Sequence, residues 1–341
     1  MSDAIVLEGL RKTFGTKVAV DNLTLTVGRG QLVGLIGPNG AGKTTTIRMV
    51  MSILFPDHGR LEVLGKKSAV LSKDRIGYLP EERGVYRKMR VGDFIIYMAR
   101  LKGVDAPTAE RRAKEWVGRI GLGEAYSKKC MELSKGMQQK VQFISAIIHE
   151  PDLLILDEPF SGLDPVNARL LRDLIDQQHR AGRTIIFSTH QMYQAEALCD
   201  RVVMIHQGVK RLDMTPAEMQ EEFDPRTLVI EPHDQQAWQQ AQTLIANTPG
   251  VQSVQRIERA LEVALHPGTD ASAVLGVVAG RIPCRRAEVR KVSLEDIFID
   301  IVQGTQASAE QREQLRQAIA GAEHAQGAGA VLTGAGAPPG R

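Results

Sequence analysis

The sequence has few cysteines and no long uncharged apolar run. Its three cysteines, Cys130, Cys199 and Cys284, are odd in number and widely scattered, which favours reduced cytosolic thiols over a disulfide framework. No apolar run approaches the roughly 18 residues that a helix needs to cross a bilayer, and residues 1–5 lack the basic and apolar regions of a signal peptide. If the protein serves a membrane, we expect another chain to span it.

The sequence also lacks a strong charge of either sign. The formal net charge of +3 at pH 7 is too small to imply nucleic-acid binding, and no basic stripe is interleaved with aromatic residues. No nucleic-acid partner is therefore expected. A chain of 341 residues predicts about two domains, so the partners and the chemistry must be argued from local sites.

Short apolar runs alternate with stretches of helical periodicity over residues 1–222. Runs of this kind are typical of strands buried on both faces, and the alternation predicts an α/β domain with a largely parallel sheet. Residues 85–150 contain helical patterns, including 92–102 and 109–120, but no comparable strand. We interpret them as a helical subdomain inserted into the sheet domain. The predicted strands are residues 32–36, 153–156, 184–187 and 202–205.

Residues 226–303 show a different order, β-α-β-β-α-β, which predicts a small α+β domain of ferredoxin-like topology. Ser293 and Asp296 form a capping pattern before a short helix. Residues 304–341 are rich in Ala, Gly, Gln and Glu, and we expect a low-complexity, disordered tail. The predicted strands of the small domain are residues 227–230, 251–254, 260–265 and 287–292, and its helices are residues 235–246 and 271–279.

A glycine-rich segment, Gly-Pro-Asn-Gly-Ala-Gly-Lys-Thr at residues 37–44, lies between a predicted strand and a predicted helix. In this context the backbone N–H groups bind phosphate oxygens, Lys43 reaches the β and γ phosphates, and the Thr44 hydroxyl binds Mg²⁺. The alternative is a glycine turn followed by an exposed lysine. The candidate nucleotide-binding residues here are Gly37, Pro38, Asn39, Gly40, Ala41, Gly42, Lys43, Thr44 and Thr45.

Two acids, Asp157 and Glu158, follow an apolar strand directly, which places them at the carboxyl edge of the sheet. Together with the phosphate loop they predict a phosphoryl-transfer site, in which Asp157 holds Mg²⁺ and Glu158 polarises the attacking water. His190 follows the next strand and opens a helix, so its imidazole is expected beside Glu158 or the γ-phosphate. The alternatives are ordinary surface acids and a capping or surface histidine.

The phosphate loop, the two acids and His190 occur together with Leu-Ser-Lys-Gly-Met-Gln-Gln at residues 133–139 and Ser-Gly-Leu-Asp at residues 161–164. In this order the motifs resemble the nucleotide-binding domains of ABC transporters, over residues 1 to 220. The resemblance implies a P-loop NTPase fold and two copies closing head to tail on two ATP molecules. It further implies that Ser134 and Gly136 contact the partner's ATP, that Asp164 joins the two sites, and that Phe14 stacks on adenine unless it is a core aromatic.

Two positions depart from the family pattern. Glu81 stands where the family usually has glutamine, and Lys135 lies within the signature segment, where glycine is usual. The form Tyr-Leu-Pro-Glu-Glu-Arg-Gly at residues 78–84 resembles a subgroup of export ATPases with a small C-terminal domain. We expect Glu81 near the nucleotide and its metal, where Mg²⁺ or the partner's Lys135 would offset its charge. The alternative is that Glu81 turns to water and Lys135 is solvated.

The resemblance implies an ATP-hydrolysing subunit, with ATP and Mg²⁺ as cofactors, that powers an ABC transporter, specifically an exporter. The expected partners are a second copy of the chain and a separate multi-spanning permease, which would attach the protein to the cytoplasmic face of the cell membrane. Two alternatives remain open: a soluble ABC ATPase serving repair, ribosomes or Fe-S assembly, and a regulatory subunit that binds ATP with little hydrolysis. The transported substance is not encoded in this chain's motifs.

Overall fold

The computed structural model describes residues 3–82, 84–223, 226–233, 235–257 and 259–303, so the predicted disordered tail lies outside the described residues. These residues group into two compact units. The first consists of two chain segments, the residues up to Pro216 and those from Ile299 onward, and the second is Ala217–Phe298. No helix of the described residues combines the length and the apolar character that a membrane span requires.

The first unit alternates strands and helices along most of its length. Its strands are β1 (Ile5–Phe14), β2 (Lys17–Val27), β3 (Leu32–Ile36), β4 (His58–Val63), β5 (Ile76–Leu79), β6 (Leu153–Asp157), β7 (Thr184–Thr189), β8 (Arg201–His206) and β9 (Val209–Met214). Its helices are α1 (Lys43–Val50), α2 (Val91–Leu101), α3 (Ala106–Arg119), α4 (Lys135–Ile147), α5 (Pro165–Arg180) and α6 (Met192–Leu198).

The central sheet has the strand order β5-β6-β7-β3-β8-β9 and is parallel except for β9, which is antiparallel to β8. Every residue of β3, β6 and β7 is buried, as is typical of a parallel sheet that is covered on both faces. The predicted α/β fold is therefore confirmed. In the register, Asp157 lies opposite Ser188 and Ile36 opposite Thr189, so the functional segments leave the sheet at one edge.

A second, antiparallel sheet of order β2-β1-β4 was not predicted. Its strands are partly exposed, and register shifts interrupt the pairing of β1 with both neighbours, which blurs the two-residue alternation that identifies a strand. Its buried side chains share one hydrophobic core with the central sheet, joining Leu7 and Leu25 to Ile155 and Ile186.

Helices α2, α3 and α4 fill the segment between β5 and β6, as the predicted helical subdomain requires. Helix α3 begins three residues before the predicted start at residue 109. The reason is its N-terminal chemistry: the Asp105 side chain accepts a hydrogen bond from the backbone N–H of Thr108 at 2.9 Å, and Pro107 occupies the first turn.

The second unit contains a four-stranded antiparallel sheet of order β11-β12-β10-β13 with a buried core that includes Leu228, Leu261 and Val278. The predicted strand 287–292 was wrong in its limits, because exposed Arg285 and Arg286 conceal the first half of the real strand from a hydrophobic pattern. The elements are α7 (Pro216–Glu222), β10 (Thr227–Pro232), α8 (Gln235–Ala246), β11 (Val251–Ile257), β12 (Ala260–Leu265), α9 (Ala271–Ala279), β13 (Cys284–Val289) and α10 (Leu294–Gln303).

Helix α10 has the N-terminal hydrogen bonds that the sequence predicts. The backbone N–H of Asp296 donates to Ser293 Oγ at 3.1 Å, and Ser293 Oγ donates to Asp296 Oδ2 at 2.8 Å. The Ser293 hydroxyl thus satisfies one backbone donor that the first turn would otherwise leave unpaired, and the Asp296 carboxylate holds that hydroxyl in place.

Candidate functional site

The glycine-rich segment turns tightly between β3 and α1. At Gly37, with φ 147°, a Cβ atom would lie 2.1 Å from the carbonyl oxygen of Ile205. At Gly42, with φ 113°, it would lie 2.6 Å from the carbonyl oxygen of Ala19. Only glycine fits either position, and the wrapped loop leads into the N-terminus of α1, where free backbone N–H groups favour an anion.

Lys43, the first residue of α1, is only 5% exposed. Its Nζ donates to the carbonyl oxygens of Gly37 at 2.7 Å and Pro38 at 3.2 Å, and lies 3.5 Å from Glu158 Oε1. Burial lowers the pKa of Lys43, while the neighbouring Glu158 carboxylate acts in the opposite direction. The lysine thus lies between the phosphate loop and the acid that follows β6.

Asp157 ends β6 with a carboxylate that is fully buried. Its Oδ1 accepts hydrogen bonds from Thr44 Oγ1 at 3.2 Å and from Ser188 Oγ at 2.5 Å. Its Oδ2 is buried and has no hydrogen-bond partner. Burial raises the pKa of Asp157, and the two hydroxyl donors oppose that change.

Glu158 adopts the left-handed backbone conformation, with φ 48°, which costs a non-glycine residue about 1–2 kcal/mol. Its backbone N–H is directed at Ser188, 3.1 Å from both the carbonyl oxygen and Oγ. Its Oε2 lies 3.0 Å from Nδ1 of His190, and both side chains are buried. His190 lies just beyond β7, but α6 begins two residues later, at Met192, so His190 does not open the helix.

A cavity of about 470 Å³ lies against the phosphate loop and collects side chains from segments distant in sequence. Phe14 is 47% exposed here and is not a core aromatic. Partial burial and the charges of Asp157 and Glu158 raise the pKa of Glu81. Sequence reasoning missed Lys17 and Ala19, which have no motif around them. The lining residues are Phe14, Lys17, Ala19, Asn39, Gly40, Ala41, Gly42, Lys43, Thr44, Thr45, Glu81 and Glu158.

The predicted signature residues are not among the described residues that line this cavity. Ser134 caps α4, its Oγ accepting from the backbone N–H of Met137 at 3.3 Å, and Gly136 lies in the first turn. Asp164 caps α5 in the same way, accepting from the backbone N–H of Asn167 at 2.9 Å. Lys135 is exposed and forms no ion pair with any described residue. One copy of the chain therefore does not bring the two halves of the predicted site together.

The oxygen atoms beside the cavity fit a Mg²⁺ ion. The unpartnered Oδ2 of Asp157 and the hydroxyl of Thr44 are hard ligands close to the phosphate loop, and Mg²⁺ in nucleotide enzymes uses one or two protein oxygens together with phosphates and water. No cluster of three His, Cys, Asp or Glu residues in the described part of the chain could hold a metal alone. This donor set suits a metal that arrives with a nucleotide.

Comparison with known proteins identifies the family. The model of the ABC transporter family matches residues 20–161, and a model for the C-terminal domain of DrrA1-3-like ATP-binding proteins matches residues 215–302. An uncharacterized ABC transporter ATP-binding protein of Bacillus subtilis is 37% identical over 298 residues, 87% of this chain and 98% of that protein. Nod factor export ATP-binding protein I of Rhizobium sp. (strain N33) is 33% identical over 316 residues, 87% of this chain and 96% of that protein.

Solved structures agree with this assignment. The structure of an ATP binding subunit of an ABC transporter has a TM-score of 0.60 at 30% identity and covers 64% of this chain and 93% of its own. The cbiO1 protein from Clostridium perfringens, part of the ABC transporter complex cbiONQ, has a TM-score of 0.58 at 25% identity and covers 65% of this chain and 92% of its own. The chain therefore belongs to the family of ABC transporter ATP-binding proteins and is the ATP-binding, ATP-hydrolysing subunit of such a transporter.

Proposed function

We propose that this chain powers an exporter, by closing head to tail with a second copy on Mg²⁺ and ATP beneath a separate permease at the cytoplasmic face of the membrane. The observation that carries the export direction is the similarity to Nod factor export ATP-binding protein I over 96% of that protein's length.

In the proposed reaction the phosphate loop binds the nucleotide through its backbone N–H groups, and Lys43 donates to the outer phosphates. Thr44 and Asp157 would hold Mg²⁺, which supplies positive charge to the phosphates. Glu158 accepts a proton from the attacking water, and His190 holds Glu158 Oε2 in place through the 3.0 Å contact. These groups position the reactants and stabilise the negative charge on the phosphates, which are the main contributions of a protein to phosphoryl transfer.

A second copy is needed to complete this site. Ser134 and Gly136 lie at the N-terminus of α4, where backbone N–H groups favour an anion, yet they do not line the cavity of their own chain. In a head-to-tail pair they would contact the γ-phosphate bound by the partner. Size-exclusion chromatography with light scattering should show Glu158→Gln as a dimer with Mg²⁺ and ATP, and as a monomer without nucleotide. A monomer under both conditions would contradict the proposal.

A surface of the helical subdomain has the chemistry of a permease contact. Exposed Tyr86 and Tyr97 pack edge to face with ring centroids 5.8 Å apart. Two backbone hydrogen bonds join residues 87–91, which follow Tyr86, to residues 128–130: the N–H of Val91 donates to the carbonyl oxygen of Lys128, and the N–H of Cys130 donates to that of Met89. Both segments carry exposed cations that form no side-chain ion pair with the described residues. This basic-aromatic surface consists of Tyr86, Arg87, Lys88, Arg90, Tyr97, Lys128 and Lys129.

The basic-aromatic surface contains a shallow depression of about 440 Å³ lined by Tyr86, Met89 and Tyr97, with Arg87 and Lys88 beside them. An apolar floor with a basic rim fits an amphipathic helix that carries acidic residues. We therefore assign an acidic cytoplasmic segment of the permease to this depression. Because aromatic anchors dominate interface energies, Tyr97→Ala is expected to weaken the complex more than the loss of any one cation.

The test is reconstitution with a multi-spanning permease that co-purifies with this chain. In inside-out vesicles ATP should drive solute into the lumen, and Glu158→Gln should abolish that uptake. Reversing the charges at Arg87 and Lys88 to Glu should release the chain from the vesicles, whereas the same change at exposed Lys66 and Lys67 should not. Movement of solute in the opposite direction would refute export. A homogeneous protein without a permease, whose ATPase is stimulated by nucleic acid, would refute the transport role.

A further inference from the structure

Ser188 is a buried serine that touches both acids of the site. It lies in β7 directly opposite Asp157 of β6 and has no exposed surface. Its hydroxyl donates to Asp157 Oδ1 at 2.5 Å and accepts the backbone N–H of Glu158 at 3.1 Å. A single side chain from the neighbouring strand therefore contacts the carboxylate of one acid and the backbone of the other.

The first contact decides which oxygen of Asp157 is available. Oδ1 already accepts from Ser188 and from Thr44, whereas Oδ2 has no partner although it is buried. The terminal torsion of an aspartate is soft, so the carboxylate rotates freely unless something fixes it. The Thr44 bond is the longer of the two, at 3.2 Å, which leaves Ser188 as the principal restraint on the direction of Oδ2.

The second contact supports the unusual backbone of Glu158. A non-glycine residue remains in the left-handed region only when its surroundings hold it there. The N–H of Glu158 has two acceptors on Ser188, the carbonyl oxygen and Oγ. Loss of the hydroxyl would leave the carbonyl bond in place, so the chain direction at Glu158 would survive with a weaker restraint.

We propose that Ser188 is a positioning residue that directs Asp157 Oδ2 toward the Mg²⁺ of the bound nucleotide and helps to hold the backbone of Glu158 in place beside Asp157. The inference rests on the proposed role of Mg²⁺ in this site. Ser188 itself touches neither metal nor substrate in this assignment. Its effect passes through the carboxylate, so its loss should change the response to the metal more than the binding of the nucleotide.

The experiment compares Ser188→Ala, Ser188→Thr and wild type. A hydrogen bond to a charged group contributes enough that its loss should raise the Mg²⁺ concentration for half-maximal ATPase about tenfold or more. Mn²⁺ binding to the protein–ADP complex, followed by electron paramagnetic resonance, should weaken by the same factor. Binding of a fluorescent ATP analogue in EDTA should change less than about twofold, since that complex lacks the metal. Ser188→Thr retains the hydroxyl and should restore much of the metal response.

Ser145→Ala is the matched control, because Ser145 is also buried and its hydroxyl donates to the carbonyl oxygen of Gln142 at 2.7 Å, within the last turns of α4. It should keep the wild-type metal response. The proposal is overturned if Ser188→Ala lowers kcat while the Mg²⁺ dependence and the Mn²⁺ affinity stay unchanged.

If Ser188→Ala does not fold, Ser188→Cys decides, because the thiol fills the space with a weak donor: a shifted Mn²⁺ affinity supports the proposal, and an unchanged one refutes it. A wild-type ATPase that needs no divalent cation would instead refute the Mg²⁺ role itself.

Discussion

Acid should destabilise the first unit through His149, which lies between α4 and β6. Its Nε2 is 3.1 Å from the carbonyl oxygen of Ile76, and its Nδ1 is buried without a hydrogen-bond partner. A carbonyl can only accept, so Nε2 carries the proton and Nδ1 is bare. Burial, together with the charge of Lys102, lowers the pKa of His149 from 6.5 to about 4.

The sign and size of the effect follow from linkage. The unfolded chain takes up the proton near pH 6.5 and the folded chain only near pH 4, so the stability present above pH 6.5 is lost as the pH falls through this window. Between pH 7 and pH 5 these two pKa values correspond to a loss of about 2 kcal/mol in the free energy of unfolding. His149→Gln removes the titration and should remove that part of the loss.

Urea unfolding measured at pH 7, 6 and 5 provides the assay. Trp238→Phe leaves Trp116, on α3 of the first unit, as the fluorescent reporter. His58→Gln, at an exposed histidine of β4, is the control and should retain the wild-type pH dependence. If His149→Gln loses as much stability on acidification as the wild type does, the buried neutral histidine is not the cause and the reasoning fails.

Three experiments test the chemistry of the site. Glu158→Gln should lower ATP turnover about 100-fold or more while keeping ATP binding, because an amide cannot accept the proton of water. Single-turnover assays measure the turnover and equilibrium titration measures the binding. Turnover at the wild-type rate would overturn the assignment of Glu158. Lys43→Ala should weaken ATP binding itself, since a buried counter-charge to the phosphates is lost. Isothermal calorimetry measures the affinity, and an unchanged affinity would contradict this role of Lys43. A double-mutant cycle of Glu81→Gln and Lys135→Gly should show coupled effects on the ATPase rate if the two charges meet in the dimer, whereas additive effects would mean that both side chains remain solvated.

The sequence predicts those parts of the fold in which local pattern and burial coincide. Strands β3 and β6 are buried on both faces, so continuous apolar runs mark them. Strands of the β2-β1-β4 sheet combine exposed positions with irregular register, and neither feature leaves a regular period. The limits of α3 depend on the side-chain bond from Asp105 to the backbone of Thr108, which hydrophobicity does not record.

The candidate site divides in the same way. The phosphate loop is a contiguous segment whose glycines have local steric reasons, so its letters suffice to predict it. Ser188 and Lys17 reach the site through strand register and sheet packing, and this information is absent from any short window of the sequence. The relation of Ser134 to the nucleotide depends on a second chain, which the order of residues in one chain does not specify.

The left-handed conformation of Glu158 creates a conflict between stability and chemistry at that residue. Glycine adopts φ 48° without steric cost, and asparagine tolerates it better than glutamate does. Either replacement would relieve backbone strain, but it would also remove the carboxylate that lies 3.5 Å from the buried ammonium of Lys43, and ATP hydrolysis would stop. The strained backbone at Glu158 is therefore kept for a carboxylate that both neutralises Lys43 and serves the reaction, and a laboratory selection that demands turnover would preserve the acid.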